Sequence, residues 1–190
     1  WDHPMVQGTL DIVTNDSMGN SSAAVMFNKQ LPVGTFFVEF IYVAEASAPA
    51  ELQLGRYLPP TPIRLLLEKT GKNLAPNVPF DNFNRQLKPV GRQTASKLVG
   101  ALQTTIHPLI AKAEAYASVQ LVQIQQDAQQ KMQQALTAQI SRLQALSKIN
   151  PSVRPEEIAH LQSMQTQLTD YISKARLKFD AIRVIVASNE

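Results

Sequence analysis

The chain has 190 residues, of which 44% are hydrophobic and 17% are charged, and it contains twelve prolines, seven glycines and no cysteine. This length can bury a core in one domain or two small ones. The composition excludes a collagen-like repeat, a disulfide scaffold and a zinc site built on thiolates. The 18 basic and 15 acidic residues give a net charge of +3, which permits contact with a polyanion but does not require it.

No apolar run reaches the roughly 20 residues that a membrane span needs, so we expect a soluble protein without a membrane partner. The chain opens with Trp1-Asp2-His3-Pro4 and lacks an initiator methionine, which predicts a piece of a longer protein. Asp2 suits a helix cap, Pro4 suits the first turn, and an apolar stripe follows to Val13. These residues predict a short N-terminal helix.

The next part of the chain is rich in branched and aromatic residues and predicts strands. The predicted strands cover residues 24–28, 33–46, 52–58, 63–69 and 181–188. In the second of these, Phe36, Val38, Phe40 and Tyr42 alternate with residues of the other face, which predicts one wholly apolar face against a core. The early breaks are short and contain proline or glycine, and such turns favour antiparallel neighbours.

Helical periodicity dominates the chain after Gly91. Apolar residues recur every three or four positions from Gln93 to Ile149, and Pro108 is expected to kink this helix or to split it. Pro155 begins a second amphipathic helix that ends near Lys178. Because the turn between them is short, the two helices are predicted to lie antiparallel.

Together these elements predict an α+β fold, in which an antiparallel sheet packs on helices and a coiled-coil-like antiparallel hairpin of two helices projects from it. The final strand returns to the sheet. Residues 1–92 supply the N-terminal helix, the strands and a basic loop, residues 93–178 supply the long helix and the hairpin, and residues 179–190 supply the closing strand. We expect these three segments to fold together as one domain of a longer chain.

The sequence contains no motif for nucleotide binding or catalysis. The glycines lie at positions 8, 19, 34, 55, 71, 91 and 100, a spacing that fits neither a dinucleotide fingerprint nor a P-loop. His3, His107 and His160 are scattered, and no serine or cysteine stands in a nucleophile motif. We therefore predict no catalytic, metal-binding or cofactor-binding residue and no enzymatic activity for this fragment.

Basic residues are concentrated in the second quarter of the chain, where residues 50–100 carry eight bases and three acids. The candidate contacts with nucleic acid or a partner protein are Arg56, Arg64, Arg85, Lys88, Arg92 and Lys97. This cluster fits a phosphate backbone, an acidic protein surface or an ordinary solvated face. The glutamine-rich stretch of residues 120–134 leaves two interpretations open, a docking or self-association surface and a solvated helix face.

Several segments in unbroken order resemble the C-terminal domain of the bacterial RNA polymerase-associated ATPases of the Swi/Snf type. The matching segments are residues 1–4, 31–35, 52–62, 83–87, 96–99, 149–151 and 180–183. The resemblance implies a parent protein that binds RNA polymerase core and promotes its recycling. It also implies that the parent hydrolyses ATP, with magnesium, in lobes that precede this chain, and that it resides in the cytoplasm with the nucleoid.

For this chain the resemblance implies a non-catalytic accessory domain that supports the ATPase lobes or contacts polymerase, DNA or RNA. Two alternatives remain open. The first is a nucleic-acid-binding module that uses the basic cluster of residues 56–97. The second is a structural or oligomerisation module that uses the helical hairpin.

Overall fold

A computed structural model describes residues 21–189. Its strands are β1 (Ser21–Phe27), β2 (Phe36–Glu45), β3 (Thr61–Glu68), β4 (Leu87–Pro89) and β5 (Arg176–Ser188). Its helices are α1 (Phe80–Asn84), α2 (Arg92–Ser147) and α3 (Pro155–Ser173). The N-terminal helix predicted from Asp2 and Pro4 lies outside the described residues.

The five strands form one sheet in the order β3-β2-β5-β1-β4. The α+β class and the return of the final strand to the sheet are confirmed. The sheet is mixed, because β1 is antiparallel to β4 but parallel to β5, with Ser21 opposite Ile182. The short turns constrain only strands that are close in sequence, whereas β5 follows the whole helical hairpin and can enter the sheet in either direction.

The predicted strand at residues 52–58 is wrong. The chain instead forms two short 3-10 turns, Ala50–Leu52 and Leu54–Arg56, joined by Gln53 in the left-handed region with φ of 48°. Leu52 and Leu54 alternate as in a strand, but both side chains are buried against the helical hairpin. The alternating apolar pattern therefore reflects two successive turns that direct side chains to one core.

The chain divides into two compact units, of which the first comprises residues 21–42, 63–117 and 179–189 within the described range. The predicted apolar face of β2 is confirmed, since Phe36, Val38, Phe40 and Tyr42 are all buried. The pKa of the Tyr42 hydroxyl is raised to about 12. The larger cause is burial of the hydroxyl, and the second is the negative charge of Glu114.

The N-terminal part of α2 lies beside the sheet in the same unit. Ile106, Leu109 and Ala113 are buried at helical spacing. The Lys112 ammonium group donates a hydrogen bond of 2.6 Å to the carbonyl of Thr70, just beyond β3. Burial of the helix stripe and of the β2 face in one unit gives the core that the sequence predicted.

A second, smaller core covers the opposite face of the sheet. It consists of Ala24, Met26, Phe37, Leu66, Phe83 and Ile185. Phe83, on the short helix α1, packs edge to face on Phe37 with ring centroids 6.4 Å apart. Helix α1 thus covers part of this face, and the remainder of the face carries the polar groups described below.

The second unit comprises residues 43–62 and 118–178, and its core joins the two long helices. Met132 and Leu136 of α2 and Leu168 and Ile172 of α3 are buried in one cluster. The predicted antiparallel pairing is confirmed by two contacts in reverse order along the helices. Gln165 donates to Thr137, and Gln125, earlier in α2, donates to carbonyls at the end of α3.

Gln125 acts as a cap for α3. Its side-chain amide donates to the carbonyls of Ile172, Ser173 and Ala175 at 3.2, 3.0 and 3.4 Å. The last carbonyls of a helix lack a following turn to pair with, and this amide adds a donor from α2 to the end of α3, where the Ile172 carbonyl also accepts from the Ala175 N–H at 3.1 Å.

Helix α2 continues through Pro108 without a break, so the proline does not split it. Helix α3 ends at Ser173, before the predicted end near Lys178, because β5 begins at Arg176. None of the helices within residues 21–189 is both long and apolar enough to cross a lipid bilayer.

Candidate functional site

Four of the six predicted basic residues lie close together in sequence around one edge of the sheet. Arg85 follows α1, Lys88 lies on β4, Arg92 begins α2, and Lys97 lies in the second turn of α2. We call these four residues the basic edge. All four side chains are exposed, and all belong to the first unit.

Strand β4 has only three residues and closes the sheet beyond β1. The Lys88 ammonium group lies 4.8 Å from the centre of the Phe27 ring, which is 42% exposed. A cation over an exposed aromatic ring is a combination that also suits a base or a phosphate.

Arg56 is exposed but belongs to the second unit. Its guanidinium lies 5.8 Å from the Tyr57 ring and donates a long hydrogen bond of 3.4 Å to Gln53. Arg56 is therefore not a member of the basic edge.

Arg64 differs from the other five because its side chain is only 17% exposed. Its Nε donates to Glu39 at 2.7 Å, and its Nη1 donates to the carbonyl of Val78 at 2.6 Å. The structure thus directs this guanidinium towards internal partners and leaves little of it exposed.

Glu39 is the centre of an ionic cluster that the sequence reasoning missed. Its side chain is 3% exposed, and its second carboxylate oxygen accepts from Nε of Arg183 at 2.8 Å and also from Nη2 of Arg183. Strand β2 lies between β3 and β5, so each flanking strand supplies one arginine. We call Glu39, Arg64 and Arg183 the Glu39 cluster, and its net charge is +1 from two cations and one anion.

One signal in the sequence pointed to this cluster. Glu39 stands alone among apolar residues in the middle of the most hydrophobic strand. A buried carboxylate is costly unless it is paired and hydrogen-bonded, so its presence there implied basic partners on the neighbouring strands.

Aromatic rings enclose the Arg64 side of the cluster. The Arg64 guanidinium lies 5.4 Å from the centre of the Phe80 ring and 5.7 Å from that of Phe83. Its Nη2 is buried and has no hydrogen-bond partner within residues 21–189. Attraction to the faces of the two rings offsets part of the cost of that unpaired donor.

An open pocket of about 340 Å³ lies beside the Glu39 cluster. It is lined by Ser21, Ser22, Glu39, Ile41, Phe80, Ala181, Ile182 and Arg183. The lining combines an apolar floor, one guanidinium and two hydroxyl-bearing residues. Among the described residues of the lining, the Arg183 guanidinium is the group that can donate hydrogen bonds to an anion with charge assistance.

The described residues bring no group of three or more His, Asp or Glu side chains together as a metal site. His107 and His160 are both exposed on helices.

The described residues form an α+β fold in which one mixed sheet is joined in sequence to a long helical hairpin. Residues 1–187 match the family described as RNA polymerase recycling family C-terminal, and the chain belongs to that family. It is 44% identical over 189 residues to the RNA polymerase-associated protein RapA of Photobacterium profundum. The match covers 100% of this chain and 19% of that relative, so the chain spans about one fifth of its length.

Proposed function

We propose that this chain is a non-catalytic C-terminal accessory domain of a Swi/Snf-type, ATP-dependent protein that binds RNA polymerase core and stimulates its recycling. The observation that carries the proposal is the family match over residues 1–187. The name of the relative, an RNA polymerase-associated protein, supports the same partner for the longer protein.

The longer protein is proposed to bind ATP and magnesium in lobes that lie outside this chain. The absence of nucleotide-binding motifs from the sequence supports that division of roles. The proposed location is the cytoplasm, with the nucleoid, and the proposed partnership with polymerase supports it. Within the longer protein, this domain is proposed to support the ATPase lobes or to contact polymerase and nucleic acid.

ATP turnover by the purified 190-residue chain tests the non-catalytic role. The expected result is phosphate release no faster than in a buffer control containing ATP and magnesium. Turnover well above that control, which persists through a further purification step, would show that the chain has a catalytic site of its own.

A second candidate function is direct binding of DNA or RNA by the basic edge. The observation that favours it is the exposure of Arg85, Lys88, Arg92 and Lys97 on one short segment of the first unit. Cations that neutralise phosphates release counterions, so affinity falls steeply with salt, with a logarithmic slope of about 0.9 per phosphate on duplex DNA.

Filter binding over a salt series separates this function from a merely solvated face. The triple variant Arg85→Glu, Lys88→Glu, Arg92→Glu is expected to reduce the slope by about two to three. The matched control reverses three exposed bases of the second unit, Arg142, Lys148 and Arg154, and so makes the same change in net charge. Equal slopes for the two triple variants would rule out the basic edge as the binding surface.

A further inference from the structure

The pocket beside the Glu39 cluster is not used by the function proposed above. We propose that it binds the acidic side chain of a partner polypeptide, together with an aromatic or apolar side chain next to it. This binding would depend on the residues of the pocket and of the Glu39 cluster, and it is independent of the role in polymerase recycling.

The charge of the cluster selects an anion. Two guanidinium groups surround one carboxylate, and Arg183 lines the pocket with its side chain 21% exposed. A guanidinium has five N–H donors. Arg183 uses three of them, two on Glu39 and one on Asn84, so two (five minus three) remain among its contacts within residues 21–189.

The internal carboxylate does not cancel this preference. Each oxygen of Glu39 already accepts from an arginine, so the cluster beside the pocket has one positive charge in excess, and Arg183 is its basic member in the pocket lining. Because the site is partly removed from water, a charge-assisted hydrogen bond there is stronger than on an open surface.

The rest of the lining selects an apolar neighbour for that anion. Ile41, Ala181 and Ile182 form the apolar part of the pocket, and the Phe80 ring, 46% exposed, stands at its side. An exposed ring at a concave site can stack on an aromatic side chain and exclude water from the ionic contact. A volume of about 340 Å³ is near the lower end for ligand pockets and accommodates two side chains.

Two features favour a polypeptide over other anions. A nucleic-acid backbone requires a row of exposed cations, whereas this pocket presents one guanidinium, that of Arg183, which is 21% exposed and can meet one anion. A small metabolite would be poorly enclosed by residues 21–189, since ligand sites bury most of the ligand and these residues leave the pocket open on one side. An anchor side chain of a larger partner gains further contacts at the rim.

The test uses the 190-residue chain, labelled with nitrogen-15, and the capped dipeptide N-acetyl-Asp-Phe-amide as the probe. Nuclear magnetic resonance follows the arginine Nε–H signals and the backbone signals of residues 181–183 during the titration. The expected result is saturable shifts at Arg183 and its neighbours. The isosteric Asn-Phe dipeptide is expected to bind about 10-fold more weakly or worse, as loss of a charge-assisted hydrogen bond implies.

Two exposed phenylalanines provide a matched pair of variants. Phe80→Ala is expected to weaken binding by about three- to tenfold through loss of the stacking ring. Phe27→Ala removes a ring of similar exposure outside the pocket and should leave binding unchanged. Both side chains are exposed, so neither substitution removes a core residue. The comparison of the two dipeptides uses the unsubstituted chain and so does not depend on the folding of any variant.

Three results would overturn the proposal. They are the absence of shifts at residues 181–183, equal affinity for the Asp-Phe and Asn-Phe dipeptides, and equal effects of Phe80→Ala and Phe27→Ala. A fourth result would also overturn it, namely inorganic phosphate binding at Arg183 as tightly as the Asp-Phe dipeptide. The ligand of the pocket would then be a phosphate rather than the carboxylate of a peptide.

Discussion

Replacement of Glu39 by glutamine removes the one negative charge that holds two arginines of neighbouring strands. The side chain is 3% exposed, and Arg64 and Arg183 bind different oxygens of its carboxylate. Removal of one partner from a buried ion pair costs about 3 to 5 kcal/mol, because a charge is left without compensation. Since the two arginines retain 17% and 21% exposure, we expect a loss near the lower end, about 3 kcal/mol.

The cluster also predicts an asymmetry among its members. Arg64→Met leaves Glu39 paired with Arg183, so it should cost less than Glu39→Gln, about 1 to 2 kcal/mol. Replacement of all three members by apolar residues, Glu39→Leu with Arg64→Met and Arg183→Met, removes every charge together. That triple variant should be less destabilised than Glu39→Gln alone, because interactions within one ionic network are not additive.

The assay is hydrogen exchange of the β2 amides under native conditions, supported by urea unfolding followed by circular dichroism. Exchange is preferred because a chain with two compact units need not unfold in a single step. Glu51→Gln, an exposed acid of the second unit, is the control and should change stability by less than about 0.5 kcal/mol. A Glu39→Gln variant as stable as this control would refute the assignment of Glu39 as the required counterion.

Three further outcomes follow from particular contacts. Gly71→Ala should cost about 1 to 3 kcal/mol in urea unfolding, because its φ is +88°, a backbone conformation that residues with a Cβ rarely adopt. Gly91→Ala, where the added Cβ meets no atom within 4 Å, serves as control. Gln125→Ala should destabilise the hairpin by about 1 to 2 kcal/mol, measured by exchange at the end of α3, while the exposed Gln126→Ala should be neutral. The pKa of Tyr42 is raised to about 12, mainly by burial, so the folded state favours the neutral hydroxyl. This contribution to the free energy of unfolding is complete below about pH 10 and is lost as the pH rises through 12. The free energy of unfolding should therefore fall more between pH 9 and pH 12 for the unsubstituted 190-residue chain than for its Tyr42→Phe variant. Parallel curves for the two proteins would contradict the raised pKa.

The elements with strong periodicity could be predicted from the sequence. The apolar repeat after Gly91 gives α2 within a few residues of its observed bounds, and the alternation from Phe36 gives β2 and its buried face. Both signals are local, because each residue's environment follows from its neighbours three, four or two positions away.

The failures occurred where the structure depends on contacts between distant residues. Residues 52–58 alternate as a strand does, but their partner is a helix hairpin far along the chain, and Gln53 adopts a left-handed conformation that no pattern signalled. The parallel pairing of β5 with β1 likewise joins the two ends of the described chain.

The candidate site was predictable only in its exposed part. Arg85, Lys88, Arg92 and Lys97 lie within one short stretch, so their common location follows from sequence, and whether they bind a partner stays a prediction. Arg64 belongs to a different environment because its counterion, Glu39, is 25 residues away, and Arg183 is 144 residues from Glu39. A lone acid in an apolar strand signals that partners exist but does not say which arginines they are.

We propose that this chain serves polymerase recycling as a non-catalytic part of a longer ATPase. The decisive measurement is multiple-round transcription with the longer protein added either intact or with this 190-residue chain deleted, and with ATP hydrolysis measured in the same samples. We expect the deletion to lower the number of transcripts per polymerase, while ATP hydrolysis in the absence of polymerase is retained. Unchanged transcript numbers, or complete loss of ATP hydrolysis by a deletion variant that remains folded, would contradict it.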